Sequence, residues 1–120
     1  MKKVIFSFVT ICLLTISMTA FGDEPALRFP DRDGSSEEAH KHNLEGINHY
    51  NQGHYDVALK HFKTASKIDP TAGEAHYNEA LCLDKLGQHG EAAMHFKAAQ
   101  KNARGNKKIL DSGILKAHLR

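Results

Sequence analysis

The chain has 120 residues, of which 41% are hydrophobic and 25% are charged. This composition excludes a wholly disordered or collagen-like protein, and the length allows one small domain. The formal net charge of +2 comes from two lysines at the N-terminus, and the remainder is neutral, so no basic surface for nucleic acid is expected.

The N-terminus has the pattern of a secretory signal peptide. Two lysines precede an uncharged run over residues 4–21, and Ala20 and Gly22 provide the small residues of a cleavage site. We predict a signal peptide over residues 1–22, cleaved after Gly22, and therefore an exported, secreted protein that is periplasmic in a bacterium with two membranes. No membrane insertion is expected after cleavage. The alternative is an uncleaved helix that anchors the chain to the inner membrane, since the run is long enough for a marginal span.

Residues 23–36 are predicted to form a flexible linker. They contain two of the three prolines and four acidic residues, without any hydrophobic period. Such a segment cannot bury a face of its own, so it is expected to be extended or mobile. Leu27 and Phe29 could dock on the following domain, although the pattern does not require it.

The rest of the chain contains a duplication. Residues 42–67 and 76–101 align at a constant shift of 34 residues with nine identities, and such a period is typical of repeat proteins. The identical pairs are His42 and His76, Glu45 and Glu79, Gly53 and Gly87, Ala58 and Ala92, His61 and His95, Phe62 and Phe96, Lys63 and Lys97, Ala65 and Ala99, and Lys67 and Lys101.

Each unit is predicted to fold as two helices. The first pair is expected over residues 37–70, starting at a capping box formed by Ser35 and Glu38 and ending before Pro70. The second pair is expected over residues 71–104, starting at a capping box formed by Thr71 and Glu74. A glycine in the left-handed region ends the first helix of each pair, and small residues with one phenylalanine form each core stripe.

Residues 105–120 are predicted to form a single capping helix. Leu110, Ile114 and Ala117 lie on one stripe and should cover the helix that carries Phe96. The adjacent stripe would then leave Leu115 free to pair with another surface.

These motifs resemble the tetratricopeptide repeat. The residues that carry the resemblance are Gly46, Tyr50, Gly53, Tyr55, Ala58, Phe62, Ala65, Asp69 and Pro70 in the first unit, and Tyr77, Asn78, Ala80, Leu83, Gly87, Ala92, Phe96 and Ala99 in the second. The resemblance implies an all-α fold, a short right-handed α-solenoid with a concave groove. Glu45 and Glu79 depart from the family pattern, which has a buried leucine there, so each should reach water or pair with a cation on the second helix.

The resemblance also implies that the first helices line a groove that binds an extended peptide or a partner helix. The predicted groove residues are His40, Asn43, Ile47, Tyr50, Asn51, Tyr77, Leu81, Asp84 and Lys85. Tyr50 and Tyr77 are the expected aromatic anchors, and neither belongs to a core stripe. Asn78 matches one amide of the carboxylate clamp that some members have, but Lys85 is the main nearby cation, so no clamp is predicted.

No catalytic, cofactor or metal site is predicted. No two of the nine histidines have the i, i+4 spacing that places two imidazoles on one helix face, and the matching histidines are interpreted as duplicated surface or packing residues. Cys82 is expected to be buried and inert. The predicted function is therefore a protein–protein interaction module, an adaptor or scaffold that binds another protein. The alternative is a structural or assembly subunit that self-associates into a homo-oligomer.

Overall fold

The computed structural model describes residues 23–32 and 34–120, so the predicted signal peptide and its cleavage site lie outside the described residues. This part of the chain contains helices and no strand. The helices are α1 (Glu37–Asn51), α2 (Tyr55–Ile68), α3 (Gly73–Lys85), α4 (His89–Lys101), α5 (Lys107–Leu110) and α6 (Gly113–His118). Within the same residues, no helix combines the length and apolar character needed to cross a membrane.

The four long helices form two hairpins of equivalent design. The turns between α1 and α2 and between α3 and α4 each contain a glycine with φ of +78°, at Gly53 and Gly87. L-residues with a side chain avoid this region, so glycine is the residue that permits these turns. α2 also packs against α3, which stacks the second hairpin on the first. The predicted all-α stack of helix pairs is confirmed.

The core of each hairpin is built from small residues around one phenylalanine. Phe62 and Phe96 have no exposed surface, and neither do the alanines four residues before and three residues after each of them. Gly46 lets α1 approach α2 closely, because a Cβ atom added there would lie 2.5 Å from the Phe62 ring. The helix backbones therefore come together only because the residues at these contacts are small.

The start of α1 differs by one residue from the predicted capping box. Ser36, and not Ser35, is the N-cap, and its hydroxyl accepts a hydrogen bond from the Ala39 N–H at 3.3 Å. The Ser35 hydroxyl instead donates to the Arg32 carbonyl oxygen at 2.9 Å. The hydrogen bonds from Ser35 to the Arg32 carbonyl oxygen thus leave Ser36 as the serine that caps the helix.

The predicted capping box at the start of α3 is wrong. The N-cap is Ala72, which has no side-chain capping bond, and Thr71 bonds to Asp69 instead. Glu74 is fully buried and forms an ion pair with Arg32, with 2.8 Å between Nη2 and Oε1. The long-range ion pair replaces the local capping interaction.

The C-terminal cap is two short helices, not the predicted single one. Ser112 accepts a hydrogen bond from the Leu115 N–H at 3.1 Å and starts α6 after a break at the end of α5. The break changes which residues face inward, so Ile109 and Leu115 are buried while Leu110 is 37% exposed. Leu115 is therefore a core residue and is not free to pair with another surface.

Candidate functional site

Residues 23–32, called here the N-terminal segment, are extended and lie against α1, α3 and α6. The prediction of a flexible linker is corrected in this range, because the segment is docked on the first helices of both hairpins. Leu27 is only 7% exposed and belongs to the hydrophobic core. The segment thus occupies the face that the sequence predicts to be a binding groove.

Two asparagines hold the backbone of Leu27. Its N–H donates to Asn78 Oδ1 at 2.7 Å, and its carbonyl oxygen accepts from Asn78 Nδ2 at 2.8 Å and from Asn43 Nδ2 at 2.9 Å. Asn78 Nδ2 also donates to Asn43 Oδ1 at 2.8 Å, which joins α3 to α1. The Asn78 amide therefore bonds to both polar groups of one extended residue, as a neighbouring β-strand would.

The Glu24 carboxylate lies at the N-terminus of α6. Its Oε1 accepts hydrogen bonds from the N–H groups of Gly113 at 2.8 Å and Ile114 at 3.2 Å, while Oε2 accepts from the hydroxyls of Tyr77 and Ser112. Burial opposes ionisation, but the hydrogen bonds from Ser112, Tyr77 and the helix backbone outweigh it and hold the pKa of Glu24 below its ordinary value. The site therefore favours an ionised carboxylate at this position.

Tyr50 and Tyr77 both donate to Glu24, one from each hairpin. The Tyr50 hydroxyl bonds to the Glu24 carbonyl oxygen at 3.1 Å, and the Tyr77 hydroxyl bonds to the carboxylate. Burial raises the pKa of both phenols, so both are neutral donors. Tyr77 is 1% exposed and packs edge-on against Phe96, with ring centroids 5.7 Å apart. Tyr50, 7% exposed, belongs to the same core cluster, so the expectation that the two tyrosines are separate from the core is wrong.

Ion pairs fix both ends of the N-terminal segment. Asp23 pairs with Lys85, and the hydrogen bond between them raises the pKa of the lysine. At the other end, Arg32 pairs with the buried Glu74, as described above.

The structure brings five of the nine predicted groove residues to the N-terminal segment. They are His40, whose ring lies 5.2 Å from that of Phe29, Asn43, Tyr50, Tyr77 and Lys85. Leu81 is 2% exposed and Ile47 packs against the core, so both predicted groove residues contribute to the hydrophobic core. Asp84 instead binds His89 and His118, and Asn51 is exposed.

Several residues that hold the segment were missing from the prediction. Glu74, Asn78 and Ser112 lie on the domain, and Asp23, Glu24 and Arg32 lie on the segment itself. The match of Asn78 to a family amide was the available signal. Nothing in the local sequence around Glu24 indicates its partners, which are 26 to 90 residues away.

Histidines from different helices meet carboxylates at three other places. In each group, one potential ligand atom per residue lies within 4.8 Å of the others. The groups are His42, Glu45 and His61; His76, Glu79 and His95; and Asp84, His89 and His118. Glu45 and Glu79 each approach a histidine on the second helix of their hairpin, which is where a partner was expected. Spacing along one helix cannot detect such groups, since their histidines lie on two helices.

Cys82 is buried in α3, as predicted. It has no exposed surface, and burial raises the pKa of its thiol to about 12. The thiolate needed for nucleophilic or redox chemistry is therefore strongly disfavoured.

A family model described as tetratricopeptide repeat matches residues 43–107, from within α1 to the first residue of α5. Comparisons with curated proteins and with solved structures gave no match. The family match covers more than half of the chain and includes both hairpins. Repeats of this family are generally protein–protein interaction modules and are typically non-enzymatic. The chain belongs to the tetratricopeptide repeat family.

Proposed function

We propose that the protein is an interaction module that holds an extended peptide segment of another protein on the face formed by α1, α3 and α6. The observation that carries this proposal is the position of the N-terminal segment. Its Leu27 backbone is held there by Asn43 and Asn78. The segment acts as a built-in occupant of the site.

The contacts indicate which peptides the face accepts. Hydrogen bonds to the Leu27 backbone are independent of side-chain identity, so they select an extended conformation and not a sequence. Selectivity comes from two side chains three residues apart, the apolar Leu27 and the acidic Glu24, which is bound at the α6 N-terminus. The preferred partner segment is therefore extended, with a carboxylate three residues before an apolar side chain.

A partner must compete with the N-terminal segment. Because the segment is tethered, its effective concentration at the face is on the order of millimolar. A partner peptide therefore binds only when its affinity or local concentration exceeds that of the tethered segment. This arrangement lets the protein reject weakly matching peptides.

We place this function in the cell envelope, on the pattern of residues 1–22. Cleavage after Gly22 would leave Asp23 as the first residue, so the mature chain would begin with the N-terminal segment. A fractionation experiment with antibody to the C-terminus, together with mass measurement of the mature chain, tests both location and cleavage.

The proposed function is tested by displacing the N-terminal segment from the face formed by α1, α3 and α6 in the full chain. The double variant Glu24→Lys, Leu27→Asp should release the N-terminal segment from the face. A fluorescent peptide with the sequence of residues 23–32 should then bind to the vacated face of this variant, called here the opened variant. We expect at least about tenfold weaker binding to the unmodified chain because of the tethered competitor. The matched control is Arg28→Ala, since Arg28 is exposed and has no bond to the domain among the described contacts.

Fluorescence anisotropy measures the binding, and circular dichroism verifies that each variant is folded. The same peptide carrying Leu27→Asp should not bind. A folded, opened variant that fails to bind the unmodified peptide would contradict the proposed function.

Self-association is the second candidate, and the connection before α1 favours it. Gly34 has φ of +79° and no atom within 4 Å of where a Cβ would lie, and glycine is the residue with the widest choice of backbone conformations. The segment of one copy could then dock on another copy with the same contacts, which is a domain swap. Light scattering distinguishes the two candidates. If the unmodified chain is a monomer, the first function is supported; if it is a swapped dimer, the opened variant should be a monomer.

A further inference from the structure

The chain contains two equivalent groups of histidine and glutamate. The first cluster is His42, Glu45 and His61, and the second cluster is His76, Glu79 and His95. In each, a histidine and a glutamate three residues later on the first helix of a hairpin face a histidine on the second helix. We propose that each cluster binds one divalent transition metal ion of the Zn²⁺ class, which joins the two helices of its hairpin.

The distances in the first cluster match those between ligands of one ion. His42 Nδ1 and His61 Nδ1 are 3.3 Å apart, and Glu45 Oε2 is 3.2 Å from His61 Nδ1 and 3.7 Å from His42 Nδ1. A tetrahedral ion with bonds of about 2.0–2.1 Å separates its ligand atoms by about 3.3–3.4 Å. One ion therefore fits between all three atoms after small side-chain movements.

The second cluster adds an oriented histidine. His76 Nδ1 is 3.4 Å from His95 Nδ1, and His76 Nε2 is 3.0 Å from the carbonyl oxygen of Pro70. A carbonyl oxygen only accepts, so Nε2 carries the proton and Nδ1 directs its lone pair toward His95. Metal-bound histidines are commonly held in this way, with the other ring nitrogen donating to a carbonyl or carboxylate.

The carboxylate of the second cluster lacks a full set of partners. Glu79 is 2% exposed, its Oε2 lies 3.5 Å from His95 Nε2, and its Oε1 is buried without a hydrogen bond. A buried carboxylate in this state is costly, and a metal cation directly compensates its charge. His95 faces His76 through Nδ1 and Glu79 through Nε2, and one potential ligand atom from each residue lies within 4.8 Å of the others, so the side chains must adjust to share one ion.

The third group, at Asp84, has a different geometry and is not assigned an ion. Asp84 Oδ1 lies 2.8 Å from His89 Nδ1 and 2.9 Å from His118 Nε2, which are hydrogen-bond distances. His118 Nδ1 also contacts the Ile114 carbonyl oxygen at 2.9 Å. Both ring nitrogens of His118 are therefore engaged with oxygen atoms of the protein, and neither faces a second histidine at the distance found in the two clusters.

The two clusters lie away from the N-terminal segment. At 100° per residue, His42 and Glu45 are about 100° and 160° around α1 from Asn43, and His76 and Glu79 have the same relation to Tyr77 on α3. A metal ion there connects the helices without touching the peptide-binding face. This inference is therefore independent of the proposed function.

Metal binding is tested on the full chain, produced without a histidine tag and stripped with EDTA. Titration with Zn²⁺ against a chromophoric chelator should give two ions per chain at micromolar concentration. His61→Gln and His95→Gln should each remove one ion, and the double variant should remove both. His54→Gln is the matched control and should retain two, because exposed His54 belongs to neither cluster.

A second measurement uses the unmodified chain, so it does not depend on how well the variants fold. Zn²⁺ should raise its Tm, and EDTA should reverse the increase. In addition, Co²⁺ should give the intense visible absorption of a tetrahedral site. Binding of less than one ion per chain, equal binding by the double variant, or a loss that follows His89→Gln and His118→Gln would overturn the proposal. A single ion lost only with His95→Gln would overturn it for the first cluster.

Discussion

The two repeats have the same design, yet their first helices differ greatly in burial. Ten of the 13 residues of α3 are buried, compared with four of the 15 residues of α1. α3 is enclosed by α2, α4 and the N-terminal segment, whereas no hairpin precedes α1 among residues 23–32 and 34–120. The burial of a residue in a repeat therefore depends on which hairpin of the stack carries it, as well as on its position within the repeat unit.

The matching glutamates illustrate the difference most directly. The Glu45 side chain is 40% exposed and the Glu79 side chain 2%, although both approach a histidine on the following helix. Water can solvate the first carboxylate, but the second depends on the protein. A duplicated residue can thus be a surface group in one unit and a buried charge in the other.

The largest expected effect comes from removing the central phenylalanines. Phe62→Ala and Phe96→Ala should each lower the free energy of unfolding by about 3–5 kcal/mol, because each leaves a cavity in a closed core. Phe96 also contacts the rings of Tyr77 and His118, so its loss should cost more. Urea unfolding measures both values, and a larger cost at Phe62 would show that the first hairpin dominates stability.

The next largest difference between the repeats is expected when the hydroxyl groups of Tyr50 and Tyr77 are removed. Tyr77→Phe removes a hydrogen bond to a carboxylate and should cost about 1.5–3 kcal/mol, whereas Tyr50→Phe removes one to a carbonyl and should cost about 0.5–1.5 kcal/mol. Urea unfolding at neutral pH gives both numbers. Equal costs would mean that the Glu24 carboxylate does not rely on Tyr77.

The two glutamates should respond in different ways to replacement by leucine. In metal-free buffer, Glu79→Leu should be neutral or stabilising by about 1 kcal/mol, because it removes a buried and incompletely paired charge. Glu45→Leu should change stability by less than about 0.5 kcal/mol, since that side chain is 40% exposed and water can solvate its carboxylate. Thermal melts provide the comparison. A strong loss at Glu79 would instead reveal a polar network that the fold requires.

The smallest effect expected is acid release of the N-terminal segment. Docking holds the pKa of Glu24 below its ordinary value of 4.5, so the ionised form stabilises docking above that pH. This stabilisation is lost as the pH falls through the lower, docked pKa. The hairpins should stay folded because the segment opens locally.

The NMR shift of the Leu27 amide, followed from pH 7 to pH 3, reports this release. Glu24→Gln should remove the transition, and Arg28→Ala should leave it in place. An unchanged transition in Glu24→Gln would assign the acid sensitivity to another group.

The parts of the fold that could be predicted are those determined by local sequence patterns. The 34-residue period, the alanines around Phe62 and Phe96, and the glycine turns are all short-range signals, and the structure has each of them. Choosing between Ser35 and Ser36 as the cap required the hydrogen bond to Arg32. The break at Ser112 was missed because the stripe through Leu110 and Ala117 assumes one unbroken helix.

The site was harder to predict because its contacts cross long stretches of chain. Leu27 and Asn78 are 51 residues apart, and no periodicity links them. The first-helix residues such as Asn43 and Tyr50 were found because helix spacing places them on one face. Their ligand was missed because an extended segment has no pattern of its own. The histidine clusters were missed for a similar reason, since each joins residues 19 apart on two helices.

The hydrogen bond from the Leu27 N–H to Asn78 has a practical consequence. The N–H is buried and bonded at 2.7 Å, although it belongs to no helix or strand. Its proton can exchange with deuterated water only when the segment leaves the face, because a side-chain amide and not a backbone ladder protects it. The deuterium exchange rate of the Leu27 amide therefore measures how often the segment leaves the face. Added peptides can be ranked by how much they increase this rate.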